Sequence, residues 1–237
     1  MSSETLILVP GLLCDATVWR HQAAALAATY SLQIASPGLS DSLEEMAQRI
    51  VDAAPATFSI AGHSMGGRVA LEVLRLAPQR VQGLALLGTG YEARAADEKG
   101  EQERVLRQGW IDLAHREGML AVVRKSPLLM LHPAHMNEPL VGEIEAMGVA
   151  AGVQQLKAQI QALLSRPDAT ALLDQIHVPT LLLCGREDAW SPLARHIEMA
   201  QRIAGSQLVA VPDCGHMSTM EQPDAVTHAL RAWLEQT

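Results

Sequence analysis

Aromatic residues are almost missing from this chain: one Phe, two Tyr and four Trp in 237 residues. A core built with so few rings must be filled by Leu, Ala, Val, Ile and Met. The 49% hydrophobic content suffices for that and excludes a disordered chain. Cysteine is equally sparse. Cys14, Cys184 and Cys214 are odd in number, widely spaced and without a CxxC pair, which argues against a disulfide framework and against a zinc site. Positive charge is in deficit, 18 Lys and Arg against 26 Asp and Glu, so the net charge of -8 argues against nucleic acid or an anionic membrane surface as a partner. No apolar run approaches the ~20 residues of a membrane span. The start, Met1 to Thr5, lacks the basic residues and longer apolar stretch of a secretory signal. No repeat or low-complexity tract is present. These absences lead to the expectation of a soluble cytoplasmic protein with reduced thiols, and the length suits one α/β unit.

What is present is alternation. Short, nearly continuous apolar runs lie at Leu6 to Val9, Leu32 to Ala35, Phe58 to Ala61, Leu84 to Leu87, Thr180 to Cys184 and Leu208 to Val211. Such runs suit strands buried on both faces of a parallel sheet, or buried helix segments. The turn residues that follow, Pro10-Gly11, Pro37-Gly38, Gly88, Gly185 and Pro212, favour strands. Between them lie helical signals. Ser42 and Glu45 have capping-box form ahead of a helix reaching about Ala53. Met65 to Ala77 reads as a helix ended by Pro78, Pro192 opens another in its first turn, and Glu221 to Glu235 reads as the last, with Val226, Leu230 and Trp233 on one face. The class is therefore α/β, a mostly parallel sheet with helices on both faces. From 91 to 175 the alternation stops. Helical stretches such as Glu101 to Arg116 and Val153 to Ser165 occur without a convincing strand. Residues 1–90 and 176–237 are expected to form the core, and 91–175 an inserted helical cap.

Three segments carry chemistry. Gly62-His63-Ser64-Met65-Gly66 is G-x-S-x-G between an apolar strand and a helix. That context demands a sharp turn that lifts the serine hydroxyl above the sheet, with glycine on either side where no side chain fits. A glycine-rich turn with an incidental serine is the alternative. Serine at its free pKa needs a base and an orienting group. Asp188 follows the strand ending near Cys184, with Glu187 as a rival acid, and His216 follows the last strand. All three lie past C-terminal strand ends, where open α/β sheets build their sites, in the chain order Ser64, Asp188, His216. His63 is read as packing into the sheet.

Gly62-His63-Ser64-Met65-Gly66-Gly67, Gly185-Arg186-Glu187-Asp188 with Pro192, and Gly215-His216 followed by Glu221 and Pro223 together resemble the α/β-hydrolase superfamily. Within it the chain looks like the small capped esterase and enol-lactonase group, of which Ser165-Arg166-Pro167-Asp168 is also typical. The resemblance covers the chain from about Leu6 to its end, the cap excepted. It implies a nucleophile at Ser64, a base at His216, an orienting acid at Asp188, and an oxyanion hole from the backbone N–H groups of Leu12 and Met65. Three departures stand out. Pro10 replaces the usual histidine and offers no side-chain donor to brace the oxyanion loop. The family's two leading strands are expected to be missing, and its acidic, glycine-containing loop is reduced to Ser36-Pro37-Gly38-Leu39-Ser40.

A serine at the elbow supports acyl transfer to water, that is, hydrolysis of a small carboxylic ester or lactone, with no cofactor or metal required. Two other functions stay open. Gly66-Gly67-Arg68 is shared with α/β-hydrolase-fold lyases that grip a polyanion with arginines, and Arg68, Arg94, Arg104, Arg107 and Arg124 are candidates here. A non-catalytic ligand receptor on the same fold is the other. The expected partner is a small-molecule ester or related acyl substrate. Met119, Met130, Met136 and Met147 could line a pocket or pack the cap, Trp19 and Trp190 could wall it, and Cys14, Cys184 and Cys214 should gather near the sheet's active edge. Oligomeric state is open.

Overall fold

The computed structural model describes residues 4–36, 38–125, 130–136 and 138–237. Pro37, expected in the turn after the second strand, residues 1–3 of the expected leaderless start, and residues 126–129 and 137 of the expected cap lie outside the described residues.

Six strands form one sheet: β1 (Thr5–Val9), β2 (Ser31–Ile34), β3 (Phe58–His63), β4 (Val81–Leu87), β5 (Thr180–Gly185) and β6 (Gln207–Val211). Their order is β2-β1-β3-β4-β5-β6 and every pairing is parallel. The inner strands β3 and β5 are buried along their whole length, as their largely apolar sequence requires. The outer strands differ. β2 and β6 are the sheet edges and most of their residues are partly or fully exposed, although their sequences resemble the inner runs. Short edges of this kind limit pairing with other chains.

Side chains alternate between two cores, as the two-residue period of a strand dictates. Ile7, Val9, Ile60, Leu84, Leu86 and Leu182 point to one face. There they meet α2 (Leu43–Ala53), α3 (Met65–Leu76) and α8 (Leu193–Arg202). Leu6, Leu8, Ala61, Ala85, Leu87 and Leu181 point to the other, against α1 (Arg20–Leu26) and α10 (Pro223–Leu234). Ser42 caps α2 by accepting from Glu45 N at 3.2 Å, while the Glu45 carboxylate turns to Arg49. Pro192 stands at the N-cap of α8, one residue earlier than its expected first-turn position. The expected last helix is divided: α9 (Ser218–Glu221) stops and α10 begins at Pro223, because proline cannot continue a hydrogen-bonded turn. Val226, Leu230 and Trp233 do share its buried face.

Between β4 and β5 the described residues form helices and no strand: α4 (Glu98–Glu117), α5 (Met119–Lys125), α6 (Glu138–Leu164) and α7 (Thr170–Leu173). Asp97 caps α4 through the amides of Lys99 and Gly100, and Gly118, at φ 85°, separates it from α5. Gly152, at φ 74°, breaks α6. Trp110, Ile111, Leu113, Val122, Leu156 and Ile160 give this segment its own small core, which Leu13 joins from the end of β1. Among the described residues no helix is long and apolar enough to cross a membrane.

Candidate active site

The strand order reverses direction at β1 and β3, so the loops leaving their C-terminal ends diverge and open a crevice. Ser64 sits there, between β3 and α3, at φ 55°. This left-handed conformation is costly for a residue with a Cβ, and the surroundings enforce it. Ser64 N donates to Leu87 O at 2.8 Å, and Thr89 Oγ1 donates to Ser64 O at 2.6 Å. A Cβ on Gly62 would meet the backbone of Gly66, and one on Gly66 would meet Val9 O, so neither position admits a side chain.

Ser64 Oγ lies 2.9 Å from His216 Nε2, and His216 Nδ1 lies 2.8 Å from Asp188 Oδ2. The two acids after β5 part company. Asp188 is buried, and its other oxygen accepts from the amides of Trp190 and Ser191, each at 2.8 Å. Glu187 is exposed and accepts from Cys214 N at 3.0 Å. Burial pushes the Asp188 carboxyl up, but the adjacent His216 ring and the two amides outweigh it and hold it below its ordinary value. Neutral His216 therefore keeps its proton on Nδ1, facing Asp188, and leaves Nε2 as an acceptor for the serine hydroxyl.

The histidine loop has its own supports. His216 N donates to Met130 O at 2.7 Å. The buried Glu221 carboxylate accepts from Gly215 N, Met217 N and His132 N at 3.0, 2.9 and 2.7 Å. His63 is not confined to sheet packing. Its Nε2 donates to His216 O at 2.8 Å and its ring centroid is 5.2 Å from that of His216. Burial, and then the proximity of His216, lower His63 to about 4, so it is neutral near pH 7.

Leu12 and Met65 line the same cavity as Ser64. Gly11 passes so close that a Cβ there would stand 3.1 Å from Ser64 Cβ. A turn follows, closed by Cys14 N donating to Gly11 O at 3.1 Å, with Leu13 at φ 59°. The brace that Pro10 cannot supply comes from α6, where buried Gln159 Oε1 accepts from Leu13 N at 2.8 Å. Met65 opens α3, at the positive end of the helix dipole, while the Gly67 amide two residues on donates to Ser64 O at 3.0 Å.

The cavity has a volume of about 300 Å³. Met130 and Met147 line it, whereas Met119 packs into the core of the helical segment and Met136 is exposed. Trp190 lines it and stacks on Trp110 at 5.7 Å, while Trp19 is buried in the core under the sheet. Of the buried thiols only Cys14 reaches the cavity. Burial pushes Cys14 and Cys184 up to about 12 and raises Cys214 as well, which leaves all three poor nucleophiles. The five candidate arginines divide. Arg68 and Arg107 line the cavity, while Arg104 and Arg124 pair with Glu101 and Glu145 in exposed positions, and Arg94 donates to the carbonyls of Leu164 and Gly100. Arg166 and Arg195, which had no sequence signal for the site, line it too. Among the described residues no cluster of His, Cys, Asp and Glu could hold a metal ion.

A family model described as the alpha/beta hydrolase family matches residues 6–229. The chain is similar to a pimeloyl-[acyl-carrier protein] methyl ester esterase of Nitrosomonas europaea, with 27% identity over 92% of this chain and 91% of that protein. A solved thermophilic esterase from Thermogutta terrifontis, with malate bound, is 29% identical, with a TM-score of 0.86 over 100% of this chain and 92% of that one. The enol-lactonase from Burkholderia xenovorans LB400 shares the fold, at 22% identity and a TM-score of 0.85 over 99% of this chain and 92% of that one.

Proposed function

The chain belongs to the alpha/beta hydrolase family, and on that premise we propose that it hydrolyses a small carboxylic ester or lactone through an acyl-enzyme on Ser64. The unbroken line from Ser64 Oγ through His216 to Asp188 carries the reading. His216 Nε2 takes the hydroxyl proton as Oγ attacks the substrate carbonyl, and Asp188 stabilises the imidazolium that forms. The oxyanion is held by the N–H groups of Leu12 and Met65, each contributing about 3–4 kcal/mol to the transition state. Collapse of the tetrahedral intermediate expels the alcohol, which receives its proton from His216. Water then enters, gives a proton to His216 and attacks the acyl carbon; the acyl–Oγ bond breaks, Oγ takes the proton back from His216, and the acid leaves. Residues 91–175 act as a cap over the crevice, a reading supported by residues of α4, α5 and α6 that line the cavity together with Ser64.

The test is hydrolysis of p-nitrophenyl esters, from acetate to a long acyl chain, by the wild type and Ser64→Ala. Turnover that disappears in the variant, with its circular dichroism unchanged, is the expected outcome. A wild type that turns over no ester, or a Ser64→Ala that keeps full turnover, would overthrow the reading.

A further inference from the structure

The charge lining the cavity is the opposite of the charge on the whole chain. Although the protein carries a net -8, among the described residues four guanidinium groups line this cavity against a single carboxylate, Glu103. They form a connected row. Arg68 and Arg195 flank Gly90, where a Cβ would stand 2.6 Å from Arg68 Nη2 and 3.4 Å from Arg195 Nε. Arg68 Nη1 and Arg166 Nε both donate to Glu92 O, at 2.8 and 3.1 Å. Arg166 Nη1 and Arg107 Nε both reach Glu103 Oε1 at 2.8 Å. Among the described residues Arg195 pairs only with the half-exposed Glu92 carboxylate, at 3.3 Å.

Holding the helices together does not require this many cations. Arg166, bidentate on Glu103, already ties α4 to the segment after α6. Among the described residues the buried Arg107 Nη1 has no hydrogen-bond partner, and Arg68 bonds only through Nη1, to Glu92 O. Burial first, then Arg166 and Arg195, push the Arg68 guanidinium below the ordinary arginine range, the direction that an arriving anion would reverse. A buried guanidinium N–H left unpaired is unfavourable unless something completes it. Planar, forked donors of this type match a carboxylate. Arg68 is also only four residues from Ser64, and Met130, Ile144 and Met147 add apolar wall to the same cavity.

We propose that this arginine row is a subsite for a substrate carboxylate, so that the ester or lactone cleaved at Ser64 bears a free carboxylate beyond a short apolar spacer. The proposal rests on the ester-hydrolase reading for its catalytic half and on the arginine row alone for its binding half.

The experiment compares monomethyl glutarate, with its carboxylate on the acyl side, and acetoxyacetate, with its carboxylate on the alcohol side, against their neutral methyl esters. Acid release is followed by titration at pH 7.5 in the wild type, Arg68→Met and Arg195→Met. At least one charged ester should exceed its neutral counterpart in kcat/KM by about tenfold or more, and which one does assigns the side. Each variant should cut that ratio by about tenfold. Arg195 is the less buried of the two, so its variant keeps the test open if Arg68→Met misfolds. A neutral ester cleaved as well as both charged ones, or a ratio unmoved by both variants, overturns the subsite. Calorimetric titration of glutarate into the same proteins separates the two readings. Binding lost in Arg195→Met without turnover of any ester would keep the subsite and sink the hydrolase. Ester turnover without charge preference and without glutarate binding would do the reverse.

Discussion

Glu221 is expected to control the position of His216 without touching it. Its buried carboxylate accepts three backbone N–H groups, two of them from the residues on either side of His216. In Glu221→Gln the amide oxygen can replace Oε2 and keep Gly215 and His132, but the NH2 then faces Met217 N–H, donor against donor. One charge-assisted bond is lost and a buried donor is left unpaired, together about 2–3 kcal/mol. For a chain of 237 residues this lowers Tm by roughly 4–12 °C. The loop relaxes as well, and a displacement of His216 by a fraction of an ångström should reduce kcat roughly tenfold, with KM changed less. Glu187→Gln is the control. It also removes a carboxylate from a loop amide, Cys214 N, but in an exposed position where water replaces it, so the change should stay within about 0.5 kcal/mol. Calorimetric melting and steady-state kinetics on a p-nitrophenyl ester report both quantities. A Glu221→Gln protein with wild-type Tm and kcat would refute the reasoning, as would a Glu187→Gln protein damaged equally.

Asp188→Asn should favour the wrong His216 tautomer and reduce kcat/KM by roughly 10³–10⁴, while Glu187→Gln stays within tenfold; equal effects would mean that the wrong acid has been assigned. Gln159→Leu leaves Leu13 N–H without its acceptor, and should cost about 1–3 kcal/mol in urea unfolding with a lower kcat as the Leu12 loop loosens. Unchanged kcat would remove Gln159 from the oxyanion loop. His63 gives a pH signature. Its folded value of about 4 lies below the ordinary 6.5, so between these limits the unfolded chain takes up a proton that the folded chain refuses. Stability is complete above pH 6.5 and falls as the pH drops towards 4, by about 3 kcal/mol at full protonation. Unfolding midpoints from pH 7 to 4.5 should decline less steeply for His63→Gln; parallel curves would exclude His63 as the source.

The sequence alone determined the elements whose cause is local. Apolar runs with turn residues behind them marked all six strands, since a central parallel strand must be apolar on both faces and must end where the chain turns. The sharp elbow at Ser64 was legible because Gly62 is demanded by backbone contact with Gly66 within the same turn, while Gly66 also answers to the distant Val9 carbonyl. Asp188 and His216 could be named as candidates because each follows a strand end. Tertiary structure alone decided whatever depends on partners far apart in the chain. It separated Asp188 from its neighbour Glu187 by turning one inward to His216 and the other to solvent. It made edges of β2 and β6, whose sequences resemble inner strands, because edge position is a property of the sheet and not of the run. It supplied Gln159, 146 residues from the Leu13 amide it braces, and it gathered Arg68, Arg107, Arg166 and Arg195 from separate segments into one wall. Local patterns record steric and hydrophobic demands over a few residues, whereas charge clustering and long-range hydrogen bonds exist only once the chain has closed on itself.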